Sequence, residues 1–521
     1  IILPLLIIVI SIIWTLALIS LTGHSLDIVS SLLPPILAAI CMSDIIHISS
    51  HYIEQLRQGL PQKQALNKAY KEIGLATFFT CCTVAAGFVT LGITNIIPIR
   101  NFGFFAAAGL LLAFGITMVA LYAFYFFSPV PKVAFEKNAD RRWNKFLAAS
   151  FRTVIKNKIL VFSLLAVLIG VSVYYTTKIE INSSLLQEIP KKNPILDDYR
   201  FMEKDFAGTR PFELALSIQN SNSSFFELGK MKRVEEIETF LKDSCGIGYI
   251  ISPLSLFRGA NKAFHGGDNA GFVLPASQQE VTRFYEGITQ TEFADVMQHY
   301  MAVDGSRLRI SGRLPNLSVK EFEPVRKKIE TFITKKEKEY GFSHHITGSG
   351  VLLDRITYSL TGNLLTGVLF DALIICLIAL FLLRNWIVML IVLIPNVVPL
   401  FIMAGAMGLL GINLKADTSV IFAIALGLAV DDTIHFLSRL RLELSKGLSL
   451  PYAVKRTYLS TGKAIVITTV VLLSGFMTLL SSSFGGTFYI GLLISLCLFC
   501  AMILELTITP LLILLLYKEK K

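Results

Sequence analysis

Ten apolar segments, each long enough to cross a bilayer, constrain the fold of this chain more than any other feature. A transmembrane helix needs about 20 predominantly apolar residues. The sequence predicts such helices at 1–22, 26–50, 73–94, 101–127, 158–177, 362–383, 386–410, 414–438, 461–482 and 486–516. Of all residues, 53% are hydrophobic and 16% are charged, which is more apolar surface than a soluble globular protein uses. We therefore expect a multi-spanning α-helical membrane protein.

The positive charges indicate how the chain is oriented. The formal net charge is +11, but the basic residues cluster at the ends of the apolar segments, so no nucleic-acid partner is expected. The connections 51–72, 131–157 and 439–460 are basic, and so is the tail 518–521. Basic connections stay on the cytoplasmic side. The large polar segment 179–361 is then predicted to lie outside the cytoplasm.

Segment 179–361 alternates strand and helix patterns. Strands are predicted near 211–218, 246–251, 307–312 and 344–348, and helices at 225–241 and 319–340. Two β-α-β units of this kind are typical of a ferredoxin-like α/β domain, here expected with two subdomains. The predicted domains are a first-half transmembrane bundle 1–127, a basic cytoplasmic linker 128–157 with an amphipathic helix on the inner leaflet, a transmembrane helix 158–178, the extracytoplasmic α/β domain 179–361, a second-half bundle 362–517 and the tail 518–521.

The sequence contains an internal repeat. "SDIIHISS" at 43–50 matches "DDTIHFLS" at 431–438, and the offset of 388 residues continues without a gap from Ala65 and Ala453 to Leu91 and Leu479. Both copies run into a basic connection, so they are parallel repeats about an axis along the membrane normal. The second copy follows a soluble segment and a further helix. We expect the same upstream of the first copy, so that these ten helices belong to a set of twelve and the chain has lost its N-terminal part.

Two adjacent carboxylates end one apolar run. Asp431 and Asp432 cost about 2.5–3.5 kcal/mol each at mid-membrane on insertion scales. His435 lies four residues after Asp431 and three after Asp432, hence on the same helix face. Asp44 and His47 repeat the three-residue spacing in the first half. This pattern predicts a proton relay between two helices. Depth alone leaves open that water hydrates these acids near the cytoplasmic end, but their recurrence in both halves favours the relay.

Polar residues on the next helix of each half are weaker candidates. Thr80, Thr468 and Thr469 either join the relay or donate to their own backbone carbonyls. Cys497 and Cys500 have C-x-x-C spacing within an apolar run, where helix packing explains them better than a metal does. No metal and no cofactor are predicted. Because nucleophile triads and phosphate loops are missing from the sequence, we do not expect an enzyme.

Three motifs resemble the resistance–nodulation–division (RND) transporter superfamily. They are "GLAVDD" at 427–432, "LIPNVVPLFIMAGAMGLLG" at 393–411, and "INSSLLQEIPKKNPILDDYRFMEKDFAG" at 181–208, which looks like the entry to that family's porter domain. The resemblance implies a twelve-helix transporter whose fourth and tenth helices carry the driving protons. The residues at the matching positions are the acids Asp44, Asp431 and Asp432 and the motif glycine Gly427. The first half departs from the motif at Ala39 and Ser43.

Acids on both central helices are most similar to the MMPL, hopanoid-exporter and Dispatched-type branches. This similarity implies proton-driven export of lipids or other hydrophobic molecules from the plasma membrane, which is the inner membrane in a bacterium. The implied partners are membrane lipids, a lipid-like cargo and H⁺, with Na⁺, a homo-oligomer and a periplasmic protein left open. Two alternatives remain. Residues 1–127 also resemble the sterol-sensing helices of Patched-like proteins, which implies lipid sensing, and a SecDF-like motor would aid protein export.

Overall fold

The computed structural model describes residues 2–27, 29–94, 96–131, 137–181, 189, 193–218, 223–383 and 385–517. They form two compact units, one comprising Ile1–Glu180 with Ser359–Lys521 and the other Ile181–Tyr358. The predicted tail 518–521 lies outside the described residues. The same holds for positions 132–136 of the basic linker and for positions 182–188 and 190–192 of the porter-like motif.

The first part of the chain is helical. Its elements are α1 (Ile2–Leu21), α2 (Leu33–Arg57), α3 (Gln62–Thr90), α4 (Ile97–Phe127), α5 (Lys137–Lys156) and α6 (Lys158–Thr176). Prolines in the first turns of α2 and α4 suit positions whose N–H has no helical partner. The predicted connection 51–72 is mostly helix, with a turn of only a few residues between α2 and α3. Hydropathy marks the membrane-buried part of a helix, and the polar ends of α2 and α3 continue beyond it.

The second unit is a small α/β domain. Its elements are α7 (Ile195–Asp205), β1 (Arg210–Ile218), α8 (Leu228–Cys245), β2 (Gly248–Ile251), α9 (Pro253–Phe264), α10 (Gln278–Thr289), α11 (Phe293–Tyr300), β3 (Arg307–Leu314), α12 (Val319–Tyr340) and β4 (Phe342–Thr347). The strands form one antiparallel sheet in the order β2-β3-β1-β4. Each β-α-β unit contributes one central and one edge strand, which is the ferredoxin-like order. The expectation of two subdomains is wrong, because both units share this one sheet.

Alternating side chains along the strands build the core of this domain. Leu214 on β1 lies opposite Ile310 on β3 and Ile346 on β4, and both Leu214 and Ile310 are fully buried. The two long helices α8 and α12 meet through Phe240 and Phe332, whose rings stack with centroids 3.8 Å apart. The three helices α9–α11 are inserted between β2 and β3, so the predicted strand-and-helix pattern holds with one helical insertion.

The last part of the chain is again helical, with α13 (Ser349–Leu383), α14 (Trp386–Leu410), α15 (Ala416–Leu444), α16 (Leu450–Met477) and α17 (Gly485–Leu516). Nine helices in the described part of the chain are long and apolar enough to cross a membrane. They correspond to nine of the ten predicted spans. The remaining predicted span, 362–383, lies in the C-terminal part of α13, where Thr366–Ile378 is apolar. The chain is a multi-pass membrane protein with a small α/β domain.

The helices keep the register of the repeat. Shifted by the offset of 388, α1 to α4 coincide with α14 to α17 to within a few residues. Gly59 and Gly447 occupy the same position in the two short turns, with φ of 88° and 76°, a conformation that glycine adopts without strain. Packing follows the repeat as well, since α3 lies against α15 and α16 lies against α2.

Helix α5 packs on α16 and α17. Leu147, Phe151 and Val154 are buried. The Phe151 ring lies 5.1 Å from the ring of Tyr458 on α16, and Tyr458 also shares a 3.1 Å hydrogen bond with the Ser150 hydroxyl. The apolar face that predicted an amphipathic helix at this place therefore covers α16 and α17.

Candidate functional site

Helices α2 and α15 carry the predicted relay residues into the interior of the bundle. Asp44 and His47 on α2, and His435 on α15, are each 3–4% exposed. The side chains of Asp431 and Asp432 are 13% and 15% exposed. Such burial is costly for ionisable groups in a membrane.

The two helices meet through residues that the repeat makes equivalent. Three such pairs lie along the contact: Ser43 with Asp431, His47 with His435, and His51 with Arg439. Successive pairs are four residues apart, which is about one turn or 6 Å along each helix. A line of self-paired positions is what a two-fold axis between the repeats produces.

The first pair is a hydrogen bond between unlike residues. Ser43 Oγ donates to Asp431 Oδ2 over 2.6 Å. The departure from the motif at Ser43 therefore lies at the two-fold axis between the repeats. An aspartate at both equivalent positions would place two carboxylates in contact, and a serine there turns that repulsion into a charge-assisted hydrogen bond.

The second pair joins the two imidazoles to the two acids. The rings of His47 and His435 stack with centroids 3.9 Å apart and an interplanar angle of 8°. His435 Nε2 lies 3.4 Å from Asp431 Oδ1 on its own helix. His47 Nε2 lies 3.8 Å from Asp432 Oδ1 on the other helix. The acids of α15 thus lie beside the histidines of both halves, and neither of these Nε2 atoms has a hydrogen-bond partner among the described residues.

Asp44 and the threonines occupy different environments. Asp44 is close enough to Asp431 for their charges to interact. Thr468 Oγ1 lies 3.5 Å from Asp432 Oδ1, at the limit of a hydrogen bond, and Thr469 also approaches that carboxylate. Thr80 donates to the backbone carbonyl of Thr77 over 2.9 Å, and Thr468 likewise has nearer acceptors in its own helix, the carbonyls of Ala464 and Ile465 at 3.0 and 2.9 Å. The threonines of the second half thus lie near an acid, but the shorter hydrogen bonds of Thr468 and Thr80 are to their own backbone.

Gly427 allows α15 to approach α3 closely. A Cβ at this position would lie 3.4 Å from the Cα of Val84, at the close end of ordinary van der Waals contact. The motif glycine is consistent with helix packing in membranes, where small residues let backbones come together. It lies one turn from Asp431.

Sequence reasoning missed a second buried network beside the relay. Thr433 donates to Glu505 Oε2 over 2.7 Å, and Thr509 donates to the same oxygen over 2.9 Å. Asn396 Nδ2 donates to Thr433 Oγ1 over 3.0 Å. In the sequence Glu505 is an acid in an apolar run without a partner in the repeat. The contact with the residue that follows Asp432 appears only once α15 and α17 are packed.

The relay atoms are also close enough to share one cation. Ring nitrogens of His47 and His435 and a carboxylate oxygen of Asp431 lie within 4.8 Å of one another. The sequence predicts no metal here, and two imidazole nitrogens are not ligands that Na⁺ prefers.

A family model decides the class of the protein. The model of the MMPL family matches residues 1–147 and 269–519, most of the chain on either side of the first part of the α/β domain. The chain belongs to the MMPL family. MMPL proteins are membrane transporters, as the resemblance in the sequence implied.

Two individual proteins are similar to this MMPL chain. The membrane protein MJ1562 of Methanocaldococcus jannaschii is 23% identical over 367 residues, which are 68% of this chain and 89% of that protein. The crystal structure of SecDF from Thermus thermophilus, a translocon-associated membrane protein, matches with a TM-score of 0.57 and 16% identity. That match covers 98% of this chain and 58% of the SecDF chain, so it shows a shared fold.

Proposed function

We propose that this MMPL protein is an exporter of lipids or other hydrophobic molecules, driven by the proton-motive force across the plasma membrane. The observation that carries the proposal is the meeting of α2 and α15 through buried acids and imidazoles. Asp44, His47, Asp431, Asp432 and His435 all lie there. Proton uptake changes the charge of this cluster, which belongs to both halves, and a change of charge in a low dielectric alters how the halves attract each other.

The domain organisation follows from this proposal. The first bundle 1–127, the helix 158–178 and the second bundle 362–517 form the moving halves, joined by the basic linker 128–157 on the cytoplasmic side with the tail 518–521. The α/β domain 179–361 lies on the opposite side and passes cargo outward. The family membership supports transport. The class of cargo and the orientation are part of the proposal.

The test is transport by the reconstituted full-length protein. Proteoliposomes carrying a fluorescent phospholipid analogue receive either a pH gradient or a Na⁺ gradient, and the movement of the analogue between leaflets is followed by quenching from outside. We expect movement with the pH gradient and its loss in Asp432→Asn and Asp44→Asn. His299→Asn, in helix α11 of the α/β domain, is the matched control. Undiminished movement in Asp432→Asn protein that elutes as a single species refutes the relay, and movement with the Na⁺ gradient alone assigns the coupling to Na⁺.

A SecDF-like motor is the second candidate, favoured by the shared fold with a translocon-associated protein. A motor of this kind needs the same proton relay but moves no lipid. The same vesicles separate the two, because a motor leaves the phospholipid analogue in place and speeds the export of a preprotein when a translocon is reconstituted with it. A Patched-like sensor binds the analogue with no dependence on either gradient.

A further inference from the structure

We propose that His51, with Glu54 and Glu72, forms the route by which protons pass between the relay and the aqueous phase at the basic ends of α2 and α15. This inference rests on the proposed function, since it supplies the entry and exit of the relay. None of the three residues belongs to the sequence motifs that point to the family.

A cavity connects the two places. It has a volume of about 490 Å³, and its lining includes His47 and His435 of the relay together with His51, Glu54 and Glu72. Exposure rises along it: the side chains of His47 and His435 are 3–4% exposed, that of Glu72 is 17% and that of Glu54 is 33%. The cavity therefore leads from the relay towards solvent near the last turn of α2.

His51 lies between these ends of the cavity. It lies one helical turn, or about 6 Å, from His47 along α2, and only 3% of its side chain is exposed. Nε2 is 2.7 Å from Glu72 Oε2 on α3, and Nδ1 is 3.1 Å from Glu54 Oε2 on its own helix. An imidazole with a carboxylate at each nitrogen can take a proton on one side and release it on the other.

The other charged and polar groups around His51 hold it in place. Arg439 on α15 lies 3.4 Å from Nδ1 and also pairs with Glu54 at 2.9 Å. Gln55 approaches Nε2 to 3.2 Å. Farther out, the positive side chains that line the cavity are Arg57, Arg456 and Lys463. These basic groups stabilise the charged form of the carboxylates in the cavity.

The three positions carry titratable groups in the first half of the repeat only. The positions equivalent to His51, Glu54 and Glu72 are Arg439, Leu442 and Ser460. A guanidinium stays protonated, and leucine and serine do not titrate, so these three positions of the second half hold no proton carrier. There, α15 and α16 are joined by an ion pair between the buried Glu443 and Arg456. The proton carriers of the proposed route therefore belong to the first half.

Hydrogen–deuterium exchange of the relay carboxyls tests the route without knowledge of the cargo. The full chain in lipid nanodiscs is moved from H₂O to D₂O buffer, and the shift of the carbonyl band of protonated carboxyls is followed by infrared spectroscopy. The bands lost in Asp44→Asn and Asp432→Asn define the relay signal. We expect His51→Asn and Glu72→Gln to slow its exchange by at least about tenfold, as expected when a positioned proton carrier is removed. Glu72→Asp should restore the rate, and His299→Asn should not change it.

The outcomes separate this proposal from the proposed function. If relay bands are present and exchange at the wild-type rate in folded His51→Asn and Glu72→Gln protein, the route is refuted and the relay stands. If no band depends on Asp44 or Asp432 at any pH, the relay itself fails and the route fails with it. If His51→Asn protein elutes as an aggregate, the test rests on Glu72→Gln and on its rescue by Glu72→Asp. These variants should fold, because the Glu72 side chain is partly exposed and Gln has the same side-chain shape as Glu.

Discussion

His47 and His435 stack face to face, 3.9 Å apart, and they are the same residue of the two repeats. At a two-fold axis a residue meets its own counterpart, so any change at such a position alters the contact from both sides. Two charged imidazoliums at this distance would repel strongly. A charge on both rings at once is therefore disfavoured, and Asp431 and Asp432 lie beside the pair.

The stack predicts that the two histidines act as one unit. We expect His47→Gln and His435→Gln each to lower gradient-driven movement of the lipid analogue by about 10²-fold, a typical contribution of a positioned proton donor. The double variant should be no slower than either single one, because residues that act as a unit are not additive. Transport rates of the three variants in proteoliposomes check this. Independent losses that multiply in the double variant would show two separate roles.

The contact of Ser43 with Asp431 predicts an order among substitutions. Ser43→Thr keeps the hydroxyl, Ser43→Ala removes a hydrogen bond to a carboxylate worth about 1.5–3 kcal/mol, and Ser43→Asp places a second carboxylate at the axis. We expect transport rates to fall in the order Thr, Ala, Asp, with Ala about tenfold or more below wild type. Equal rates for Thr and Ala would mean that the 2.6 Å bond does not matter to the relay.

The sequence predicts which of these residues are equivalent, but not which of them are in contact. The offset of 388 residues predicted that Asp44 and Asp432, and His47 and His435, are equivalent, but equivalence does not say which residues touch across the axis. Spacing along one helix also suggested a pair between Asp44 and His47, whereas the contact that the structure shows for His47 is with Asp432. Such contacts depend on the rotation of each helix about its own axis, which packing decides and periodicity leaves free.

The sequence did not point to His51 or to the single sheet for similar reasons. His51 lies in a segment predicted as a basic connection, because its polar sequence hides the last turns of α2. The strands β1 and β3 were predicted near their true positions because alternation of apolar residues is a local signal. Their arrangement in one sheet depends on pairing between distant segments, so the sequence could not exclude two subdomains.

The hydrogen bonds around Glu505 predict that the stability of the protein depends on an acceptor oxygen at this position and not on its charge. Glu505→Ala leaves the buried hydroxyls of Thr433 and Thr509 without their acceptor, at a cost of about 1–3 kcal/mol each. Glu505→Gln keeps an acceptor oxygen at the same place and should melt close to wild type. Fluorescence-detected size-exclusion chromatography after heating measures both. If Gln is as destabilising as Ala, an acceptor oxygen is not enough and the charge of Glu505 is needed to hold the two hydroxyls.

Two glycines of α14 lie where the helix bundle has no room for an added methyl group. A Cβ on Gly408 would overlap the carbonyl oxygen of Tyr175 on α6, and one on Gly405 would lie 2.6 Å from the Cα of Ser172. Both partners are backbone atoms, which cannot move aside as a side chain does. Gly408→Ala should therefore force α6 and α14 apart and cost about 1–3 kcal/mol or more.

The control for this change lies on the opposing helix. Gly170 on α6 has open space around its Cβ position, and Gly170→Ala should leave the melting temperature unchanged or raise it slightly, since alanine favours helix over glycine. The two variants differ only in whether a neighbouring backbone occupies the site. Equal melting temperatures for Gly408→Ala and Gly170→Ala would show that α6 and α14 are farther apart than the glycines indicate.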